Sequence, residues 1–372
     1  MSKKSIVTIL LIILIGMMIT DFNINGVGVF ELFFHRLKTE SMEEFHIGGG
    51  SLGGSQKEFS VDDNMSFKAD NMESLNINNS MGSVKLIGED RDSIEVDYTI
   101  TVYARTVERA EEFAKQLEVN KAGESNIEFS IDKPDNRKGI QAIKVAYNIR
   151  APQYIIPEIK NKYGRMEVSN FINGAKLSNA YEKTEIRDLA GRVKIESKYG
   201  DLNVNNIDGE AEIEVAYNDA VISNIGKDLD LEARYCDVEL QDVKGSLLFD
   251  TNYGEASLEN VHQTDIKSDY TEIDISGIKG ELTADMDYGE LNVEEINHSM
   301  DVRGRYTDIG VELASQLKDY RLDCETEYGD IDTNFPVSYK EDDNEVRVTK
   351  KAGTGEVELE IVTDHADIEI DQ

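Results

Sequence analysis

A tyrosine period constrains this chain more than any other feature of it. Tyr163, Tyr181, Tyr199, Tyr217, Tyr235, Tyr253, Tyr270, Tyr288, Tyr306 and Tyr328 follow one another at intervals of 18, 18, 18, 18, 18, 17, 18, 18 and 22 residues. A fixed period of this length marks a repeat architecture in which each unit buries its apolar side chains against its neighbours. In the unit 199–216, apolar residues stand three, five and eight positions after the tyrosine (Leu202, Val204, Ile207). They return at twelve, fourteen and sixteen (Ala211, Ile213, Val215). Alternation of period two on both sides of a turn means two short strands per repeat. Eighteen residues are too few for a strand–helix–strand crossover, so each strand must pair with its counterpart one repeat further on.

The fold predicted is all-β: a parallel β-solenoid with about 18-residue coils and a tyrosine corner ladder, plus one short helix near the N-terminal end. Each tyrosine keeps the parity of the strand before it, and parity switches after it. A glycine often follows, at Gly164, Gly200, Gly254, Gly289 and Gly329. This reads as a corner whose tyrosines cap the core. The residues two before the tyrosine are mostly small (Ser197, Val215, Ala233, Thr251, Ser268, Gly304) and leave room for the ring. No proline occurs from 158 to 335, as uninterrupted strand pairing requires.

Five segments follow from this. Residues 1–40 carry Lys3 and Lys4 ahead of an apolar run from Ile6 to Ile19, the layout of a signal or membrane-anchor segment. No Ala-x-Ala-like cleavage site comes after it, so an uncleaved anchor is preferred, with the two lysines cytoplasmic and the bulk of the chain extracytoplasmic. Residues 41–56, with Gly48-Gly49-Gly50-Ser51-Leu52-Gly53-Gly54-Ser55, read as a flexible tether. Residues 57–150 form an irregular N-terminal coil and helix cap. Met81-Gly82 repeats the corner pattern there, and Thr106 N-caps a helix running to Glu118 with Val107, Ala110, Ala114 and Leu117 at helical spacing. Residues 151–335 hold the regular repeats, and 336–372 two alternating runs that close the far end.

The stretch Pro157-Glu158-Ile159-Lys160-Asn161-Lys162-Tyr163-Gly164-Arg165-Met166-Glu167-Val168, whose rhythm recurs through Asp332, resembles a bacterial putative-adhesin domain family of unknown function. The resemblance covers roughly residues 75–372. It implies a β-solenoid, often behind an N-terminal membrane segment and often linked with envelope-stress systems. It transfers no catalytic residue.

The chain has 74 acids against 39 bases, a net charge of −35. A surface this acidic repels phosphate backbones and anionic lipid, which excludes nucleic acid as a general ligand and electrostatic docking on a membrane. Part of the charge is ordered. Two residues after successive tyrosines stand Asp201, Asp219, Asp237, Glu255, Glu272, Glu290, Asp308 and Asp330, preceded by Arg165 and Lys183. Coils about 4.8 Å apart would stack these acids into one row. Two readings are open: an edge that binds Ca²⁺ or another hard cation, or a solvated edge that blocks edge-to-edge aggregation. A high-salt habitat would account for the acidity equally well.

No other cofactor is suggested. His35, His46, His262, His298 and His365 lack ligand spacing, and Cys236 and Cys324 lie about five coils apart, beyond disulfide reach. Carboxylates repeat without a singular pair and the loops are minimal, so the chain is read as non-enzymatic. The one departure, the 22-residue interval, holds Ser315-Gln316-Leu317-Lys318-Asp319-Tyr320-Arg321, which reads either as a binding feature or, by preference, as a loop insertion of the kind solenoids tolerate. The expected function is a membrane-tethered extracytoplasmic binding or scaffolding module whose partner is an envelope protein or a cell-wall polymer. The alternatives are an adhesin to external surfaces and a carbohydrate-active β-helix enzyme.

Overall fold

A computed structural model describes residues 57–123, 126–132 and 136–372. The segments 1–40 and 41–56, read above as anchor and tether, lie outside the described residues. Among the described residues no helix is long and apolar enough to cross a membrane.

The repeats form a parallel β-solenoid. In one coil, strands Val193–Lys198 and Leu202–Asp208 flank the Tyr199 corner. The first pairs in parallel with Ala175–Ala180 on one side and Ala211–Ala216 on the other, the second with Thr184–Ala190 and Asp219–Ile225. Register advances by one repeat per layer, so Ile195 lies over Ile213 and Val204 over Ile222. From Leu247–Glu259 onward the two strands run through the corner as one long bent strand, repeated in Thr264–Ser276, Leu282–Ile296 and Met300–Leu313. The alternating apolar residues meet between the two strand rows and form one continuous core.

Both parity switches in each coil have the same physical cause. Nine of the ten ladder tyrosines, all but Tyr163, sit in the left-handed region with φ between 54° and 68°. Seven residues later a second left-handed residue recurs: Asn170, Asp188, Asn206, Asn224, Asp242, Asn260, Gly277 and Glu295. A left-handed residue takes no step in the strand alternation, which is why the apolar set jumps from the fifth position to the eighth. Asn and Asp tolerate this conformation, but a bulky residue there is strained by about 1–2 kcal/mol. Stacking between aromatic rings, worth about 0.5–1.5 kcal/mol per pair, offsets that cost at the tyrosines.

The ends are built differently from the middle. At the N-terminal end, Ser74–Met81 and Val84–Glu89 form a coil whose Met81 lies opposite Tyr163. The chain then runs outward through Ser93–Ala104 and the helix α1 (Val107–Ala114). It returns as Asn126–Asp132 and Ile140–Pro152, which pair with the outer side of that first coil. Thr106 N-caps α1, accepting the Arg109 amide at 3.2 Å. The helix ends earlier than its sequence spacing suggests, and Ala110, Phe113 and Ala114 bury its inner face in the core.

At the C-terminal end the last strands do not stack last. Val357–Asp364 pairs in parallel with Met300–Leu313 on one side and with Tyr320–Glu327 on the other. Ile368–Asp371 likewise lies between Met300–Leu313 and Ile331–Thr333. The C-terminal coil is thus interposed between two coils that precede it in sequence. The outer end is closed instead by the antiparallel pair Ser338–Asp342 and Glu345–Ala352, laid against Tyr320–Glu327.

The 22-residue interval follows from this arrangement: Tyr328 is two layers beyond Tyr306, and 314–319 bridges the gap. Asp319 in that bridge fastens the return turn. Its carboxylate accepts the Glu356 amide (3.0 Å), the Gly355 amide (2.5 Å) and the Thr354 hydroxyl (2.9 Å). Gly353 and Gly355 give the turn its left-handed bends, at φ 66° and 83°.

Candidate functional site

The tyrosines form an unbroken surface ridge. Successive rings from Tyr163 to Tyr306 stack with centroids 4.7–5.1 Å apart and interplanar angles of 3–21°. In the interposed coil His365 takes the ladder position, 4.9 Å from Tyr306 and 4.6 Å from Tyr328, and shares the left-handed backbone at φ 60°. Eleven rings thus span ten layer steps, about 48 Å at the usual strand spacing.

The rings do not cap the core. Those from Tyr217 to Tyr328 are 40–54 % exposed. A left-handed corner turns its side chain away from both flanking strands, so the residues on either side of the tyrosine point inward instead. Asn179, Ser197, Thr251 and Ser268, two before it, and Asn218, Cys236, Thr271 and Thr307, one after it, are buried. Small residues at these positions make room for each other, and several bond to corner carbonyls. Asn179 donates to the Glu182 carbonyl at 3.0 Å, Asn218 to that of Gly200 at 2.8 Å, and Thr326 to that of Ala366 at 2.8 Å.

The eight predicted acids are brought into one row beside the ridge. Asp219 lies opposite Asp237, Glu255 opposite Glu272, Glu272 opposite Glu290, and Glu290 opposite Asp308. Asp201 precedes them, close enough to Asp219 to act on its charge. Asp367 of the interposed coil belongs to the same row between Asp308 and Asp330. Its signal in the sequence is that it follows His365 at the tyrosine-plus-two offset. Three of the acids also bond to backbone. Asp237 accepts the Glu255 amide at 3.1 Å, Asp308 the Asp367 amide at 3.0 Å, and Asp367 the Asp330 amide at 2.8 Å. Each ties its corner to the next layer.

Electrostatically the row is self-repelling. Burial, then the charges of Asp237 and Asp201, push the Asp219 carboxyl up, and Glu290 does the same to Glu272. The two rungs before the acids carry cations. Arg165 pairs with Glu185 at 2.7 Å and Glu167 at 2.8 Å, and Lys183 with Glu185 at 2.9 Å. Charge therefore changes along the stack: residues 156–198 hold nine bases and six acids, residues 199–313 seven bases and 28 acids.

Among the described residues no group of three or more His, Cys, Asp or Glu is gathered as a metal centre would need. Both thiols are free and buried, and burial pushes each up. Two grooves are found on the surface of the described residues. One of about 590 Å³ is lined by Asp62, Asp63, Lys85, Tyr98, Arg165 and Glu167 among others. There Asp62 accepts the Thr99 hydroxyl at 2.7 Å and Asp63 the Tyr98 hydroxyl at 3.1 Å, so both carboxylates are already engaged. The other, about 460 Å³, lies against Arg192, Glu212, Asp230 and Leu248. Both are open to solvent.

The family model described as Toastrack DUF4097 matches residues 72–371. No curated protein matches the chain. Solved structures similar to it include a putative cell adhesion protein from Clostridium sporogenes, 12 % identical, covering 84 % of this chain and 100 % of its own, with a TM-score of 0.20. A putative adhesin from Parabacteroides distasonis is 10 % identical over 85 % of this chain and 98 % of its own, TM-score 0.26. A putative lipid binding protein from the same organism is 11 % identical over 87 % and 98 %, TM-score 0.22.

Proposed function

We propose, on the premise that this chain belongs to the Toastrack DUF4097 family, that it works as a non-enzymatic binding or scaffolding module of the bacterial cell envelope. In this reading residues 1–40 tether it to the membrane, the solenoid lies outside the cytoplasm, and it serves an envelope-stress system.

One observation carries the reading: the chain presents the same surface again and again on a stiff frame. Rungs recur every 4.7–5.1 Å along the ridge, and the two grooves are open rather than enclosing. A surface of this kind suits an extended partner whose own units repeat, because many weak contacts add through effective concentration. It does not suit a small substrate, which needs a concave site that buries most of its surface. A cell-wall polymer or an elongated envelope protein has the required form.

The test is cosedimentation of the detergent-solubilised chain with purified cell-wall polymer, beside host matrix and mineral surfaces, with released sugar assayed in parallel. Retention by wall polymer alone is expected. Retention by external surfaces alone would favour an adhesin. Sugar release that disappears on changing one acid pair would replace the reading with that of a carbohydrate-active enzyme.

A further inference from the structure

We propose that the nine contiguous ladder tyrosines, Tyr163 to Tyr306, are a site of one-electron oxidation at which neighbouring phenols couple into dityrosine and staple successive coils together. This chemistry does not depend on where the chain resides or on what it binds.

Three features of the ridge converge on it. Proximity comes first: eight consecutive ring pairs lie 4.7–5.1 Å apart, and from Tyr199 onward they are parallel to within 9°. Two phenoxyl radicals formed on such neighbours are already partners, which removes the diffusional step that limits coupling in solution. The rings are also accessible. Their faces are covered by one another, yet the residues from Tyr217 to Tyr306 are 40–48 % exposed, which gives an oxidant at the surface access to the ladder. The third feature is the field. Asp269 and Asp287 immediately precede Tyr270 and Tyr288, and the row from Asp201 to Asp308 runs alongside. The cations Lys162, Lys198, Arg234 and Arg305 precede other rungs, and Arg305 pairs with Asp287, so the negative charge that favours a transient positive charge on the stack is centred on Tyr270.

The chemistry balances with a peroxide as oxidant and a haem peroxidase to deliver it. Each of two adjacent phenols gives up one electron and its hydroxyl proton, leaving a phenoxyl radical. The radicals join through a new carbon–carbon bond between ortho positions, and each ortho hydrogen returns to the phenol oxygen by tautomerisation. The two electrons and two protons reduce one hydrogen peroxide to two waters.

The ladder also sets where coupling stops. His365 separates Tyr306 from Tyr328, so Tyr328 has no adjacent phenol in the stack. Oxidation governed by exposure alone would instead favour Tyr328 and Tyr339, at 54 % and 55 % the most exposed tyrosines among the described residues.

The experiment treats the full chain in detergent with peroxidase and hydrogen peroxide, then reads dityrosine fluorescence in the monomer band and maps cross-linked peptides by mass. Links between consecutive ladder residues, such as Tyr253–Tyr270 and Tyr270–Tyr288, are expected within the monomer. A variant with every second rung replaced (Tyr181→Phe, Tyr217→Phe, Tyr253→Phe, Tyr288→Phe) keeps rings in the stack but leaves no two phenols adjacent. Its intramolecular yield should fall at least tenfold. If that variant does not fold, Tyr328→Phe with Tyr339→Phe decides the matter, because the proposal requires its yield to match the unaltered chain. Links dominated by Tyr328 or Tyr339, links only between molecules, or an undiminished yield from the alternate-rung variant would overturn the proposal.

Discussion

If the C-terminal coil is interposed, a side chain close to the end of the sequence should behave as an internal residue. Ile361 tests this. It is fully buried, with Val302 opposite it on one side and Cys324 on the other, and both of these are themselves fully buried. Ile213, in mid-array between Ile195 and Leu231, has the same surroundings. Ile→Ala at either position removes the same atoms between two fixed layers that cannot close over the space. The cost expected is about 3 kcal/mol, within the usual range of roughly 2–5 kcal/mol for such truncations. Urea unfolding at fixed salt should give Ile361→Ala and Ile213→Ala costs that agree to within about 1 kcal/mol, given the context dependence of cavity costs. Amide exchange in Ile361→Ala should accelerate in Tyr320–Glu327 as well as in Val357–Asp364, because the former reaches the array only through the latter. A cost below about 1 kcal/mol, or faster exchange confined to 357–372, would refute the interposed order.

Other consequences can be checked separately. Asn224, exposed and left-handed at φ 59°, should tolerate Gly almost neutrally, while Asn224→Ala should cost about 1 kcal/mol in thermal or urea unfolding. Asp319, held down to about 2 by the Glu356 amide and the Thr354 hydroxyl, should stabilise the return turn above about pH 4. Because the folded value lies below the unfolded one, that contribution is lost as pH falls toward 2, and the difference from Asp319→Asn should close over the same window. Glu272 has the opposite sign. Its carboxyl is raised by Glu290, so Glu272→Gln should raise the melting midpoint at neutral pH, and the gain should vanish as acid protonates the native residue. The acidic row as a whole should be stabilised by added salt. Melting with and without millimolar Ca²⁺ at fixed ionic strength then isolates any specific cation. General screening predicts an unchanged midpoint, and a rise specific to Ca²⁺ would show instead that the edge binds the ion.

Much of this architecture was written in the spacing. The strand pairs, the coil length and the row from Asp201 to Asp330 all follow from a period that places identical offsets in identical environments. The direction of the tyrosines did not follow. Parity tells which residues alternate within a strand, but a left-handed residue breaks the alternation, and nothing in a tyrosine announces φ near 60°. The second left-handed position left a clearer mark, because Asn or Asp recurs seven residues after most of the tyrosines, and those two residues tolerate that conformation best among residues with a side chain. Layer order was the least legible. Sequence neighbours usually stack as spatial neighbours, and the interposed coil is betrayed only by the 22-residue interval together with His365 and Asp367, which copy the ladder and acid offsets. The loop that fills that interval, read as a tolerated insertion, is the bridge that makes the interposition possible.

A surface module held outside the cytoplasm is the central claim, and protease shaving of intact cells beside membrane fractionation tests it most directly. With an epitope at the C-terminus, the tag should sediment with membranes and be lost to external protease. A tag protected both in intact cells and in cells stripped of their wall would place the solenoid in the cytoplasm and contradict the claim.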